Sequence, residues 1–355
     1  MKKLNKAWIT INRSCNLRCR WCYAANTEYK QSSDMDFNLA CELFDLFSDI
    51  GINDVSLLGG EPTCYSYLLD LLSYAKNKNI TCHLITNGIA LSNIKYLSEI
   101  VNLGIGCIDI SLKGFSVENY IAETGYDGYS QTMNAIKNLE LLGTEFIVSM
   151  VLTYENITEY IRGITDAVNN GAKNFRFSFC HDFSALDTEK INLEYPIKKN
   201  VFDVIDGFKN SYEELRKITN DNFSLHQTFP LCAWDFEFVK LLQSRNQIFS
   251  SCQVFTREGV IFDTQGYIIP CNLMHQVKLG KWKQEFSNYN EFLNFWNGDM
   301  LSNYYNAIAN QSIPSETCKS QCEDWELCGG GCLSNWYNYT FNKFQGDLEI
   351  YRHNN

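Results

Sequence analysis

Cys15, Cys19 and Cys22 form a C-x3-C-x2-C run, Ser14-Cys15-Asn16-Leu17-Arg18-Cys19-Arg20-Trp21-Cys22, directly after a strand-like stretch over residues 7–12. Three thiolates on one short loop can hold three irons of a 4Fe–4S cluster and leave the fourth iron without a protein ligand. An open iron can chelate a substrate or cofactor, so such a cluster suits chemistry as well as electron storage. A zinc site would close with a fourth Cys or His at short range, and none follows Cys22 before Cys41. Cys-only ligation of this kind points to iron–sulfur.

A second set of cysteines lies far along the chain. Cys252, Gly266 and Cys271 read C-x13-G-x4-C, and Cys318, Cys322, Cys328 and Cys332 follow with gaps of 3, 5 and 3 residues, Gly329-Gly330-Gly331 filling the last. Four close cysteines can also bind zinc, so a zinc ribbon is the alternative here. Cys232, in Pro230-Leu231-Cys232, is a further candidate ligand. Cys41, Cys64, Cys82 and Cys107 sit in predicted elements and read as core thiols. Cys180 ends a predicted strand and is a candidate hydrogen-atom donor; His181, Asp182 and His275 are possible site groups expected on loop surfaces.

These residues need elements to position them. Apolar or β-branched runs over 7–12, 54–58, 81–86, 105–112, 146–153 and 174–180 read as strands buried on both faces. Between them apolar residues repeat at helical spacing, as in Phe37, Ala40, Phe44 and Phe47, with Ser33 and Asp34 as candidate caps and Gly51, Gly104, Gly143 and Gly171 as stops. The alternation makes the chain α/β: a parallel sheet with helices outside, as an open sheet or a partial barrel. Residues 260–262 and 267–269 read as a β-hairpin. The expected division is a barrel core over 1–183, a bridge over 184–224 and a cysteine-rich domain over 225–355. That last region is poor in regular elements, so metal ligation is expected to help hold it.

The chain has 355 residues, 45% of them hydrophobic, and a net charge of −11. This supports a sizeable core and disfavours nucleic acid and anionic membranes as partners. No stretch approaches the roughly 18 to 20 apolar residues of a membrane span, and Thr10, Asn12 and Arg13 interrupt any signal-peptide core. A cytoplasmic location follows. The 15 cysteines are then metal ligands or buried thiols, not a disulfide framework.

In a parallel α/β sheet the site forms at the carboxyl ends of the strands. There stand Leu58-Gly59-Gly60-Glu61-Pro62 after the second strand, Thr86-Asn87-Gly88 after the third and Ser111-Leu112-Lys113-Gly114 at the end of the fourth. Glycines let a ligand approach the backbone; Glu61 offers a carboxylate to an ammonium, Ser111 a hydroxyl to a ribose and Lys113 a charge to a carboxylate.

The triad with aromatic Trp21 before its last cysteine, followed by these motifs in this order, resembles the radical S-adenosylmethionine enzymes over about residues 7 to 180. The resemblance implies a partial (β/α)6 TIM-like barrel, with S-adenosylmethionine chelated to the open iron. It implies Glu61 and the backbone of Gly59 and Gly60 at the methionyl ammonium, Trp21 at adenine and Ser111 at ribose. Thr86 and Asn87 belong to the same cofactor-binding set. Some relatives carry an Arg about a dozen residues after that Ser. This chain has Glu123 there, which leaves Lys113 for the methionyl carboxylate. The C-terminal cysteines resemble the SPASM extension of these enzymes, with one or two auxiliary 4Fe–4S clusters. The first gap of the four is one residue longer than usual, and no cysteine follows Cys332. The family's crossing pattern implies Cys252, Cys271 and Cys332 on an inner cluster, with Cys232 as its candidate fourth ligand, and Cys318, Cys322 and Cys328 on an outer one.

The resemblance implies reductive cleavage of S-adenosylmethionine to a 5′-deoxyadenosyl radical that abstracts a substrate hydrogen, with a low-potential flavodoxin or ferredoxin as electron donor. Maturation of a ribosomal peptide, by crosslinking or epimerisation of a precursor, is the leading expectation. Few residues precede the first strand, so leader recognition is expected from a separate protein or from the barrel itself. The alternatives are a small-molecule or sulfatase-type protein substrate and, in another class, a non-catalytic electron-transfer or sensor protein.

Overall fold

The computed structural model describes residues 4–27, 29–180, 201–249, 252–311 and 316–333. Six strands run parallel in chain order: β1 (Lys6–Thr10), β2 (Asp54–Leu58), β3 (Thr81–Thr86), β4 (Cys107–Leu112), β5 (Phe146–Leu152) and β6 (Phe175–Phe179). Helices α1 (Phe37–Ile50), α2 (Leu68–Asn77), α3 (Ile94–Asn102), α4 (Val117–Thr124), α5 (Tyr129–Leu141) and α6 (Tyr160–Asn169) connect them. This is the partial barrel. Successive strand side chains point to opposite faces. On β4, Ile108, Ile110 and Leu112 are buried in the main core, whereas Cys107, Asp109 and Ser111 alternate onto the other, partly open face. The cap of α1 is Asp36, which accepts from the Asn38 and Leu39 amides, and not Ser33 or Asp34.

The sheet extends beyond the six strands read from the sequence. After α7 (Val201–Thr219), β7 (Phe223–His226) pairs parallel with β6, and β8 (Ile248–Phe249) with β7. At the other edge β9 (Gly259–Phe262) pairs parallel with β1 and turns into β10 (Tyr267–Ile268), which pairs with β11 (Gly280–Lys281). The eleven strands form one sheet, ordered β11-β10-β9-β1-β2-β3-β4-β5-β6-β7-β8. It runs through both expected domain boundaries. The described part of the 184–224 segment is not only a link: Phe208 of α7 packs on Phe177, Phe179 and Phe223. Among the described residues no helix is long and apolar enough to cross a membrane.

Candidate functional site

The chain leaves β1 and enters the cysteine loop, which protein hydrogen bonds tie on several sides. Asp34 accepts from the Arg13 and Ser14 amides at 2.7 and 2.9 Å and from the Ser14 hydroxyl at 2.8 Å. The Gly60 and Glu61 amides donate to the carbonyls of Asn12 and Ser14 at 2.9 and 2.8 Å. The Arg18 and Arg20 amides donate to the carbonyls of Thr124 and Glu123, at the end of α4, at 2.9 and 3.0 Å. Asn87 Nδ2 donates to Asn16 Oδ1 at 2.8 Å.

The paired glycines have a structural reason beyond ligand access. A Cβ on Gly59 would lie 1.7 Å from Asn12 Oδ1, and one on Gly60 would lie 2.4 Å from the Arg13 carbonyl oxygen. The backbone that comes close to them is the cysteine loop itself.

Glu61 is 2% exposed and already has four donors. Its Oε1 accepts from the Thr63 amide, the Thr63 hydroxyl and the Thr86 hydroxyl at 3.1, 2.7 and 2.5 Å; its Oε2 accepts from the Asn87 amide at 2.7 Å. Glu61 thus fastens the end of β2 to the end of β3, and only Oε2 keeps ready capacity for an ammonium. Trp21 is half-buried on the loop. Ser111 Oγ lies 3.4 Å from Ser149 Oγ, its register partner on β5. Lys113 makes no ion pair among the described residues, and its charge stabilises the Cys19 thiolate.

Burial is the main force on the Cys15 and Cys19 thiols. It pushes Cys15 up to about 12, eased by the Leu17 amide and raised further by Glu61, Cys19 and Cys22. Cys19 rises to about 11, again through burial, with Lys113 opposing and Cys22 and Glu123 adding to it. Three partly buried thiols on one short loop, two of them held neutral by their surroundings, form a donor set suited to a metal centre, whose positive charge would favour the thiolates. The triad fits a cluster in this respect. Among the described residues no three Cys, His, Asp or Glu side chains converge on a single ion-sized point, the arrangement of a structural zinc site.

The inner wall of the barrel is polar. Arg176 on β6 donates to Asp109 on β4 at 3.3 Å, and His83 on β3 pairs with Asp54 on β2 at 3.0 Å. Cys180 ends β6 at the rim that carries the triad. It is buried outside the main hydrophobic cluster, and its amide is bonded to the Leu152 carbonyl at 2.9 Å. His181 and Asp182 lie outside the described residues. His275 corrects the surface expectation: it is buried, and its ring centroid stands 6.3 Å from that of Tyr23. Burial, with Arg13 and Lys278, lowers its pKa to about 4. Of the four expected core thiols only Cys82 lies in the core; Cys41, Cys64 and Cys107 are partly buried outside it.

The C-terminal cysteines fall into two groups. Cys252 and Cys271 each feel the charge of Cys332, and Cys271 also feels Cys252. Cys232 feels Cys328, Cys318 and Cys322. Burial, added to by these neighbours, raises Cys271 and Cys232 to about 12 and Cys252 and Cys318 to about 11. Cys232 therefore stands with Cys318, Cys322 and Cys328, and not with Cys252, Cys271 and Cys332, the group for which the sequence had made it a candidate. The reason is local. The Leu231 amide donates to Cys328 Sγ at 3.3 Å, and the Cys332 amide donates to the Thr228 carbonyl at 2.8 Å. Gly329, Gly330 and Gly331 all have left-handed φ, 53°, 80° and 76°, and this turn sends Cys328 to one group and Cys332 to the other.

Residues that single-sequence reading missed are Asn12, Arg13, Tyr23, Asp34 and Tyr29. The Arg18 guanidinium lies 4.2 Å from the centre of the Tyr29 ring. No motif flags any of them; a buried polar residue next to a ligand run was the available signal.

Comparison with known proteins agrees with this geometry. Residues 9–167 match the Radical SAM superfamily. This stretch is a radical S-adenosylmethionine domain, whose cofactors are a 4Fe–4S cluster and S-adenosylmethionine. The AdoMet-dependent heme synthase of Oleidesulfovibrio alaskensis is 29% identical over 152 residues, 42% of this chain and 39% of that protein. A probable GTP 3′,8-cyclase of Methanococcus maripaludis is 22% identical over 273 residues, 75% of this chain and 84% of that protein. The chain spans only about two fifths (39% and 42%) of the first curated relatives it matches. Among solved structures, Streptococcus suis SuiB bound to precursor peptide SuiA superposes with a TM-score of 0.69 at 20% identity, over 94% of this chain and 73% of that one. Native anSMEcpe with bound AdoMet and Cp18Cys peptide gives 0.68 at 19%, over 98% and 96%. At these identities the likeness is one of fold.

Proposed function

We propose that this chain is a radical S-adenosylmethionine enzyme that matures a peptide, with SPASM-type auxiliary iron–sulfur clusters on its two C-terminal cysteine groups. The observation that carries this reading is the arrangement of the cysteines: one open triad at the rim of a polar barrel, and groups of three and four beyond it. Two solved structures with this fold are complexes with a peptide, SuiA in one and Cp18Cys in the other.

When bound, the cluster and S-adenosylmethionine supply a hydrogen-abstracting organic radical. The chain's own residues bind and orient. Cys15, Cys19 and Cys22 hold the cluster; Glu61 Oε2 takes the methionyl ammonium and Lys113 the carboxylate. Ser111 meets the ribose and the Trp21 backbone the adenine. Gly59, Gly60, Thr86 and Asn87 fix the loop that presents them. Cys180 is the candidate donor that returns a hydrogen atom. The partners would be a precursor peptide, a low-potential flavodoxin or ferredoxin and, for the leader, a separate binding protein, all in the cytoplasm.

Anaerobically reconstituted protein should hold about three clusters and, with dithionite, convert S-adenosylmethionine to 5′-deoxyadenosine. Mass spectrometry of a short peptide encoded beside it should show a modification that depends on both. Cleavage with no change in any such peptide would move the reading to a small-molecule substrate. The names of the heme synthase and GTP cyclase relatives favour that second reading.

A further inference from the structure

Arg13 poses a problem of charge balance. It is 5% exposed, and its fully enclosed Nη1 has no hydrogen-bond acceptor. Asp34, a carboxylate of the same region, instead holds the Arg13 and Ser14 amides and the Ser14 hydroxyl. Arg13 makes no ion pair among the described residues. A guanidinium cannot shed its proton in a protein, and an unpaired buried charge is a costly feature for a fold to keep.

Its surroundings say where an anion would sit. The Arg13 charge bears on the Tyr23 phenol and on His275. Tyr23 directly follows Cys22, and its phenol also feels Cys271. The Tyr23 and His275 rings stand 6.3 Å apart at 60°. Arg13, Tyr23 and His275 thus meet between the triad loop and the Cys271 turn. Lys113, which also makes no ion pair among the described residues, acts instead on Cys19.

We propose that Arg13, with the Tyr23 hydroxyl and the His275 ring, forms an anion site that takes a carboxylate of the substrate, from an acidic side chain or a chain terminus. A guanidinium fork matches a carboxylate bidentately, the phenol supplies a further donor, and the His275 ring lies beside it. The assignment to substrate rests on the proposed function, which puts the reacting molecule between the triad and the C-terminal cysteines. The methionyl carboxylate of S-adenosylmethionine is the other source of the same chemistry.

The test uses the full chain with reconstituted clusters, as wild type, Arg13→Met and Arg13→Lys. The probes are N-acetylglutamate amide and its uncharged counterpart, N-acetylglutamine amide, read by thermal unfolding. In the wild type the acidic probe should raise the melting temperature by about 2 °C or more near saturation and the uncharged one should not. Arg13→Met should lose the response without melting lower than the wild type, because it removes an unpaired charge. Arg13→Lys should keep part of it. A wild type indifferent to the acidic probe, or an Arg13→Met protein that still responds, overturns the site. Binding of S-adenosylmethionine and its decarboxylated analogue separates the sources. If Arg13→Met abolishes a wild-type preference for the carboxylated form, the anion is the cofactor's and the substrate assignment falls. Failure of the wild type to form 5′-deoxyadenosine, with the probe response intact, would instead strike the proposed function.

Discussion

The loop of the first three cysteines and the segment of the last four are both short and irregular, yet they are held differently. The triad loop is bonded to β2, to the ends of β3 and α4, and to Asp34. The segment Glu316 to Leu333 has helices of six and four residues and rests on Gln227 to Leu231 through bonds that include Gln227 Nε2 to the Cys328 carbonyl at 3.0 Å. Helices that short do not hold themselves. Protein bonds therefore hold the triad loop on their own, whereas under the proposed function the C-terminal segment would draw on ligation for its shape. The first arrangement suits an exposed, reactive cluster whose fourth position must stay open. The second suits clusters enclosed by cysteines.

The sharpest break of this comparison is Cys15→Ala, Cys19→Ala and Cys22→Ala together. Formation of 5′-deoxyadenosine should vanish, while auxiliary iron stays and the melting temperature changes little, since the loop's protein bonds survive. Cleavage in the triple variant would remove the assignment. Chelating iron from the wild type should act in the opposite region. Hydrogen exchange across 316–333 should speed up by orders of magnitude, as structural metal contributes several kcal/mol or more, while β1 to β5 keep their protection. Equal protection in both regions, with and without iron, would erase the contrast.

How far the sequence discloses this molecule follows the same divide. The bounds of β2 and β3 match the apolar runs, and the other four barrel strands differ by a residue or two, because their apolar and β-branched residues mark them, although the structure fully buries only alternate side chains and leaves the other face partly open. β7 and β8 have four and two residues, below the length at which a run can be told from a loop, and they follow the largely polar exposed face of α7. The pairing of β9 with β1 joins residues about 250 positions apart, and no local pattern encodes it. The triad and Gly59-Gly60-Glu61 were legible because chemistry fixes their spacing. Arg13, Asp34 and Tyr23 were not, because what they do depends on tertiary neighbours. Cys232 shows the limit most clearly. Its place in the chain suited the inner group, and a Pro230 turn hydrogen-bonded to Cys328 put it in the other.

That regrouping predicts a non-additive pattern. Cys232→Ser and Cys318→Ser should each damage the same auxiliary cluster, and the double variant should lose no more iron than either alone. Cys232→Ser combined with Cys252→Ser should lose iron from both. Iron counts with electron paramagnetic resonance would decide it; additive losses for Cys232 and Cys318 would put Cys232 back with the inner group.

The smallest expected effect separates two charges beside the triad. Glu61→Gln removes an acceptor that serves two hydroxyls and two amides, so it should cost about 1 to 3 kcal/mol of stability as well as cofactor affinity. Lys113 has no ion partner to strand. Lys113→Ala should leave the melting temperature within experimental scatter and weaken S-adenosylmethionine by roughly 10- to 150-fold, the worth of a charge-assisted contact of about 1.5 to 3 kcal/mol. Cluster assembly should be unchanged, because the triad's ties do not involve this side chain. Calorimetric titration of the reconstituted variant with S-adenosylmethionine measures the loss directly. Unaltered affinity would mean that the methionyl carboxylate lies elsewhere. Arg13 would then be a candidate for that carboxylate, and the substrate's anion site would have to be sought away from it.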